Sequence, residues 1–532
     1  MTEQKFIGTV ISVTSGIVTV LLDQSITTLK REINGKSYFI GQIGSYILIP
    51  MGSFVLVGLT NKLEKRDVII NGTSQQRYIL EASLVGTVKG GRYDRGVSYF
   101  PSVDAPVFLA EDVDLSVAFS IFQRYGFSVG NVSLFETQRA FLDANKFFAK
   151  HIAILGSSGS GKSCTVASIL QKVAVFPDTN VIILDIHNEY KPAFENANYI
   201  RVADFELPFW LMNFDELCEM FIDNRDENAS TQITVLKDLI INSKRGKNPQ
   251  MSPFITIDTP VYYDLSEIRA KIQYMDTEKI TLGGGQTKDG PFYGKFTRFL
   301  VRLDGKLNDP RYEFMFRPKK YLDSAKFNDF MTNIFGIEGK AKITILDLSG
   351  VPFDVVNTIV SVLARTIFDF NFWNPNRREF PILLVFEEAH NYLPSDIPSA
   401  ARRTVERIAK EGRKYGVSIM VVSQRPAEVS ETILSQCSNY VVMRLTNPHD
   451  QDYVRRLVPD TFASLIEVLP SLRQGEALLV GESTPMPLRV QIDLPNPEPD
   501  SGDIKFYEKW KKSDSHTQID KVISRWWKQE KD

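Results

Sequence analysis

Apolar residues alternate with small or polar ones from Phe6 to Leu22, and the alternation breaks once, at Thr14-Ser15-Gly16. Period-two alternation around a Gly-containing turn predicts a β-hairpin. Short apolar runs follow at Ser45–Ile49, Phe54–Leu59, Val68–Ile70, Tyr78–Lys89 and Val107–Leu109, with Gly, Pro or Asn punctuating the gaps. Residues 1–110 therefore read as a small N-terminal β-barrel. From Asn131 the pattern changes to apolar runs separated by helical periodicity, the signature of a parallel α/β sheet. Its strands are expected at His151–Leu155, Val181–Asp185, Ile343–Leu348, Ile382–Phe386, Val417–Ser423 and Tyr440–Leu445. The alternation stops over residues 215–340, where charge, the run Gly283-Gly284-Gly285 and helix-like segments at Thr231–Asn242 and Leu265–Tyr274 predict a mostly helical insertion. The α/β core is thus expected in two pieces, residues 111–214 and 341–495. Residues 496–532 read as a Pro- and charge-rich arm, then a helix with Ile519, Val522, Ile523 and Trp526 on one face.

Composition narrows the class. The 532 residues are 43% hydrophobic and 24% charged, which suits a globular chain of several domains. A net charge of −2 argues against a surface coated in base, although a ring can confine its basic residues to an inner channel. The three cysteines, Cys164, Cys218 and Cys437, have no metal-ligand spacing, and only five histidines occur. Zinc chemistry is not expected, and the thiols suit a reducing compartment. No charged-then-apolar leader opens the sequence and no run reaches the ~18–20 apolar residues of a membrane span, so a cytoplasmic location is expected.

The chemistry enters at residues 151–163, HIAILGSSGSGKS. An apolar strand, Gly156, four residues, then Gly161-Lys162-Ser163 is the phosphate loop of nucleoside triphosphate binders. Glycines let the backbone turn its N–H groups toward phosphate, Lys162 supplies a fixed cation, and the Ser163 hydroxyl suits Mg²⁺. The cradle for ATP is expected from Gly156 through Ser157, Ser158, Gly159, Ser160, Gly161, Lys162 and Ser163 to Cys164. A second apolar strand ends in Glu387-Glu388. Paired carboxylates there suit one group holding Mg²⁺, Glu387, and one polarising water, Glu388; a solvated acidic pair is the plainer alternative. The string LDIHNEY places Asp185, His187 and Glu189 at a third strand end, for Mg²⁺, water, subunit contact or only a turn.

Residues 400–416 read as a helix with Val405, Ile408 and Ala409 inward and a basic stripe of Arg403, Arg407, Lys410 and Lys414. Arg413 suits an arginine finger, and the stripe with Arg402 suits DNA phosphates; a salt-bridged solvent face with Glu406 and Glu411 competes. Gln424, at the end of the Val417–Ser423 run, suits a γ-phosphate sensor.

Together KHIAILGSSGSGKS, LDIHNEY, LPFWLMNFDEL, FTRFLVRL, ITILDLSGVP, LLVFEEAHNYLP, IAKEGRKYGVSIMVVSQRP and LPSLRQGEALLVG resemble the HerA branch of the HerA/FtsK motor superfamily. The resemblance implies a RecA-like P-loop ATPase core, an N-terminal HAS-type barrel, a helical insertion and a homohexameric ring. It implies ATP at subunit interfaces and double-stranded DNA through the channel. By the same resemblance Gly161, Lys162 and Ser163 bind ATP and Mg²⁺, Glu388 is catalytic, Arg413 acts in trans and Gln424 senses phosphate. The family often carries Arg-His before the first strand; here Lys150-His151 stands there, so a trans contact from Lys150 is a point charge, not a fork. The expected activity is ATP-driven DNA translocation for a separate effector, a nuclease or NAD-consuming enzyme, in DNA processing or anti-phage defence. The alternative is an ATP-gated ring that scaffolds its effector. The barrel is expected to meet that effector, and the C-terminal helix to brace a neighbouring subunit.

Overall fold

A computed structural model describes residues 3–33, 35–70, 73–135, 137–201, 205–282, 286–502, 504–511 and 518–528. The triple glycine at 283–285 and part of the expected arm, 512–517, lie outside them. The chain divides into two compact units, residues 1–183 with 363–498 and residues 184–362 with 499–532.

In the first unit six strands close a barrel. They run in the order Ile17–Leu22, Phe6–Thr14, Pro106–Leu109, Tyr46–Met51, Phe54–Ile70 and Thr73–Lys89, and the last pairs back to the first. Inward positions of the 6–22 hairpin, Ile7, Val10, Val18 and Val20, join Leu56 and Leu80 in its core. Phe54–Leu59 and Val68–Ile70 are not separate strands but one of 17 residues, paired with Thr73–Lys89 along its length. The charged stretch Lys62–Asp67 looks like a gap because only Leu63 in it packs against the barrel core. Pairing with the neighbouring strand carries the ribbon on, with these side chains exposed or half-buried. The barrel is fastened to its own unit: buried Tyr46 and Tyr93 donate to the carbonyls of Pro487 (2.8 Å) and Pro485 (3.3 Å), and Arg95 to that of Gly481 (2.9 Å).

The same unit holds eight strands in the order Arg139–Phe141, Ser128–Val132, Leu488–Ile492, Glu476–Gly481, Asn439–Met443, Ile152–Leu155, Val417–Ser423 and Ile382–Phe386. The last four are mutually parallel and entirely buried. The first four join antiparallel, so the sheet is mixed and not purely parallel as the periodicity predicts. The hairpin of Glu476–Gly481 and Leu488–Ile492 is the reason, since its short connection has no room for a crossover helix.

In the second unit Asn198–Arg201 and Ile343–Asp347 pair in parallel, and among the described residues six α-helices lie between them in sequence, from Phe214–Phe221 to Phe327–Ile334. Their core is aromatic. Trp210, Tyr263, Phe296, Phe299 and Phe330 are fully buried, and Trp210 Nε1 donates to the Tyr321 carbonyl at 3.0 Å. Among the described residues no helix is long and apolar enough to cross a membrane. Ile519, Val522 and Trp526 of the last helix, Ile519–Lys528, are exposed.

The hairpin of Phe6–Thr14 and Ile17–Leu22 includes a close approach. A Cβ at Gly8 would sit 2.2 Å from the Leu21 carbonyl oxygen across the hairpin. Gly8→Ala is expected to open this ladder at a cost of about 1–3 kcal/mol. Hydrogen exchange should show lost protection in Phe6–Thr14 and Ile17–Leu22 with unchanged protection of Ile152–Leu155. Equal protection in both proteins would refute the packing argument.

Candidate nucleotide site

The buried strand Ile152–Leu155 delivers the chain into the phosphate loop, and the helix Lys162–Val173 leaves it. The loop is braced from below. Gly156 N–H donates to the Ser423 carbonyl (3.2 Å), Ser157 N–H to that of Arg444 (2.8 Å), and Gly475 N–H to that of Ser160 (2.9 Å). A Cβ at Gly156 would meet Ser160 Oγ at 2.6 Å and Met443 Cβ at 2.8 Å, so only glycine fits. Gly161 caps the helix with φ +102°, a left-handed conformation that glycine takes freely. The helix N-terminus therefore opens on the loop. Ser160 Oγ is buried without a hydrogen-bond partner. Ser158 and Gly159 are exposed, whereas Ser157, Ser163 and Cys164 are half-buried.

Glu388 faces this loop. It follows the strand Ile382–Phe386, and its Oε1 lies 3.9 Å from Lys162 Nζ, with both side chains largely buried. The Glu388 backbone is left-handed, φ +46°, which is uncommon outside glycine and costs on the order of 1 kcal/mol. Its Oε2 accepts from the Gln424 N–H at 3.4 Å and lies 3.3 Å from His390 Nδ1. The His390 ring also meets Ser423 Oγ at 3.3 Å. Burial holds the His390 pKa below its ordinary value, against the pull of Glu388. His390 stands two residues after Glu388 in FEEAH, where the sequence alone gives it no role. Glu387 is 1% exposed, with its carbonyl accepting from Tyr392 Oη at 2.8 Å.

Lysine, both carboxylates and Gln424 thus share the carboxyl edge of the parallel strands. Arg413 and Lys150 do not. They precede the strands Val417–Ser423 and Ile152–Leu155, so they occupy the amino edge, about 20 Å away along a seven-residue strand. Lys150 is ion-paired with Glu482. Arg413 is exposed and borders an apolar cavity of about 880 Å³ lined by Phe127, Phe148, Phe176 and Ile382. At the amino edge His151 is fully buried: Nε2 meets the Ala409 carbonyl at 3.0 Å, and Nδ1 accepts from the Ile419 N–H at 3.1 Å. Burial, with the nearby Arg413 charge, lowers its pKa to about 4.

The helix Ala400–Glu411 buries Val405, Ile408 and Ala409, and leaves Arg403, Arg407 and Lys410 exposed; Arg413 and Lys414 follow in a tight turn, Gly412–Tyr415, also exposed. Arg402 does not join that face. It donates to Glu406 Oε1 (2.8 Å) and to the Ser395 carbonyl (2.8 Å). Arg407 lies 3.6 Å from Glu411 and over the Phe368 ring. In the second unit Asp185 is fully buried, and its two oxygens accept from the N–H groups of His187 (3.2 Å) and Tyr190 (3.0 Å). Burial raises its pKa, and these hydrogen bonds oppose the rise. Among the described residues no group of three or more His, Cys, Asp or Glu could hold a metal ion. A lone hydroxyl and carboxylate, Ser163 and Glu387, instead suit an ion that keeps waters and takes phosphate oxygens.

Comparison with known proteins matches residues 127–367 to the family described as helicase HerA, central domain, and residues 375–500 to the helicase HerA-like C-terminal family. The DNA double-strand break repair helicase HerA of Saccharolobus solfataricus is 28% identical over 431 residues, 79% of each chain. A probable DNA double-strand break repair helicase HerA of Methanocaldococcus jannaschii is 25% identical over 504 residues, 87% of this chain and 94% of that one. Among solved structures, VirB4 of Thermoanaerobacter pseudethanolicus aligns with a TM-score of 0.49 at 16% identity, covering 69% of this chain and 96% of that one.

The His151 environment sets a pH dependence. Its folded pKa, about 4, lies below the ordinary 6.5, so the fold binds the neutral ring. As pH falls from about 6.5 toward about 4, the unfolded chain takes up a proton that the folded chain refuses. Stability present above pH 6.5 is lost across that window, by about 3 kcal/mol. Thermal unfolding followed from pH 7 to pH 4.5 should fall more steeply for the wild type than for His151→Gln; parallel curves would exclude this.

Proposed function

The chain belongs to the HerA helicase family, and from that membership we propose an ATP-hydrolysing motor that moves double-stranded DNA through a homohexameric ring. The observation that carries the ring is the division of the site between two edges of one sheet. Lys162, Glu388 and Gln424 lie at the carboxyl edge, and the exposed Arg413 at the amino edge. One copy cannot close its own site. A head-to-tail neighbour brings its Arg413 to the γ-phosphate, and such heterologous contacts generate rings. The apolar cavity beside Arg413 suits a face that another subunit covers.

In this reading the loop from Gly156 to Cys164 cradles the phosphates through backbone N–H groups. Lys162 moves its charge from Glu388 to the β/γ oxygens as ATP enters, which frees Glu388 to take a proton from the attacking water. His390 and the Gln424 N–H hold the Glu388 carboxylate in place meanwhile. Gln424 reads the γ-phosphate with its amide. Ser163 and Glu387 would hold Mg²⁺, which when bound neutralises phosphate charge. Asp185 stays with its loop, since backbone donors already occupy both oxygens. Lys150 reaches a neighbour only by leaving Glu482. The exposed Arg403, Lys410 and Lys414 face DNA phosphates, and a separate effector receives the DNA, the barrel being its contact.

Two measurements test this. Lys162→Ala should abolish hydrolysis, whereas Glu388→Gln should bind ATP with near-native affinity and turn over about 10²–10⁴-fold more slowly. A near-native rate for Glu388→Gln names the wrong base. Duplex DNA should raise the wild-type ATPase rate, and Lys410→Glu with Lys414→Glu should weaken that stimulation more strongly than the basal rate. A rate indifferent to duplex DNA would favour the scaffold over the translocase.

A further inference from the structure

Arg413 sits on a short strap, Gly412–Tyr415 with Gly416, between the helix Ala400–Glu411 and the strand Val417–Ser423. Its side chain is exposed, yet the backbone beneath it is pinned from two sides. On one side Asn371, itself fully buried, donates Nδ2 to the carbonyls of Tyr415 (2.7 Å) and Phe380 (3.1 Å). The Tyr415 ring packs 4.7 Å from Phe372 and 5.7 Å from Phe368. On the other side stands the His151 ring. One nitrogen meets the carbonyl of Ala409, two residues before the helix ends; the other takes the N–H of Ile419, two residues into the strand, and lies 3.2 Å from Ser418 Oγ. The Ile419 N–H can only donate and the Ala409 carbonyl can only accept. The ring is therefore neutral, with its proton on Nε2. The strap closes on itself through the Gly416 N–H, which donates to the Gly412 carbonyl, and the His151 ring joins the helix before it to the strand after it. The left-handed backbone at His151, φ +53°, is part of how the ring is placed there.

We infer that His151 is a positioning residue for Arg413, fixing the strap so that the guanidinium emerges in one place. The inference rests on the trans role proposed above for Arg413. A finger that meets a phosphate across a subunit boundary gains from a backbone that does not move, because the charge must already be aimed when the transition state forms. A buried histidine with both nitrogens satisfied is ordinary core. What sets this one apart is that its partners are the last turn before the finger and the first residues after it.

Mixed rings test this and separate it from the reading it rests on. Full-length Glu388→Gln subunits keep a good amino edge, whereas Arg413→Ala subunits keep a good carboxyl edge, so mixing these two should restore hydrolysis at some interfaces. If Arg413→Ala alone hydrolyses ATP at the wild-type rate, or no mixture recovers, the trans role fails and His151 is not what failed. With that control in place, His151→Phe should bind a fluorescent non-hydrolysable ATP analogue within about twofold of wild type and hydrolyse ATP about tenfold more slowly or worse. It should be rescued by Glu388→Gln subunits and not by Arg413→Ala subunits. His151→Gln keeps a donor for the Ala409 carbonyl and should fall between Phe and wild type; it also serves if the Phe protein does not fold. The reverse rescue pattern, with Arg413→Ala subunits restoring activity, would put the defect in the variant's own phosphate loop and overturn the inference. So would a wild-type rate in His151→Phe.

Discussion

Parallel strands share a direction, and in this chain that direction sorts chemistry by edge. The loops that follow Ile152–Leu155, Ile382–Phe386 and Val417–Ser423 bring the phosphate loop, Glu387-Glu388 and Gln424 to one side. The segments that precede them bring Lys150, His151 and the Arg413 strap to the other. A buried sheet whose strands pair on both sides does not flex enough to bring the two together, because every ladder bond would have to break. The separation is therefore as fixed as the sheet. In the proposed ring, each copy would be a donor of one half-site and an acceptor for the other.

Within the carboxyl edge the decisive contact is between Lys162 and Glu388. Two opposite charges, both largely buried, lie 3.9 Å apart, and the carboxylate stands on a left-handed backbone steadied by His390 and the Gln424 N–H. Removing either partner of such a buried pair would leave the other charge without compensation. In the proposed mechanism, entry of nucleotide would exchange one partner of Lys162 for another.

How much of this could be read beforehand depends on the range of the interaction. The phosphate loop was legible because Gly156 and Gly161 encode their own backbone requirements, space at one and a positive φ at the other, within eight residues. Glu388 was legible as the polar end of an apolar run. The barrel hairpin followed from alternation alone, whereas the ribbon beyond Asn61 did not, because its strand is held by pairing that leaves no apolar stripe in the sequence. His151 reads as part of a strand; its partners are 258 and 268 residues away. Arg402 looks like one more member of a basic stripe until the helix turns it toward Glu406 and Ser395. The antiparallel half of the sheet was hidden for the same reason as the ribbon, since strand direction is decided by connections and not by composition.

Tyr46, Tyr93 and Arg95 bear on how the barrel transmits force. Their hydrogen bonds go to carbonyls in residues 481–487, the tight connection between two strands of the ATPase sheet. A tethered domain would absorb a pull in its linker before anything downstream moved. Here the slack is absent: a load applied to the barrel arrives directly at a turn of the sheet, and that turn's strands are hydrogen-bonded, strand by strand, to the one that ends in the phosphate loop. Anything gripping the barrel would be mechanically in series with the site of hydrolysis, feeling each change of strain there as torque and returning its own drag to it.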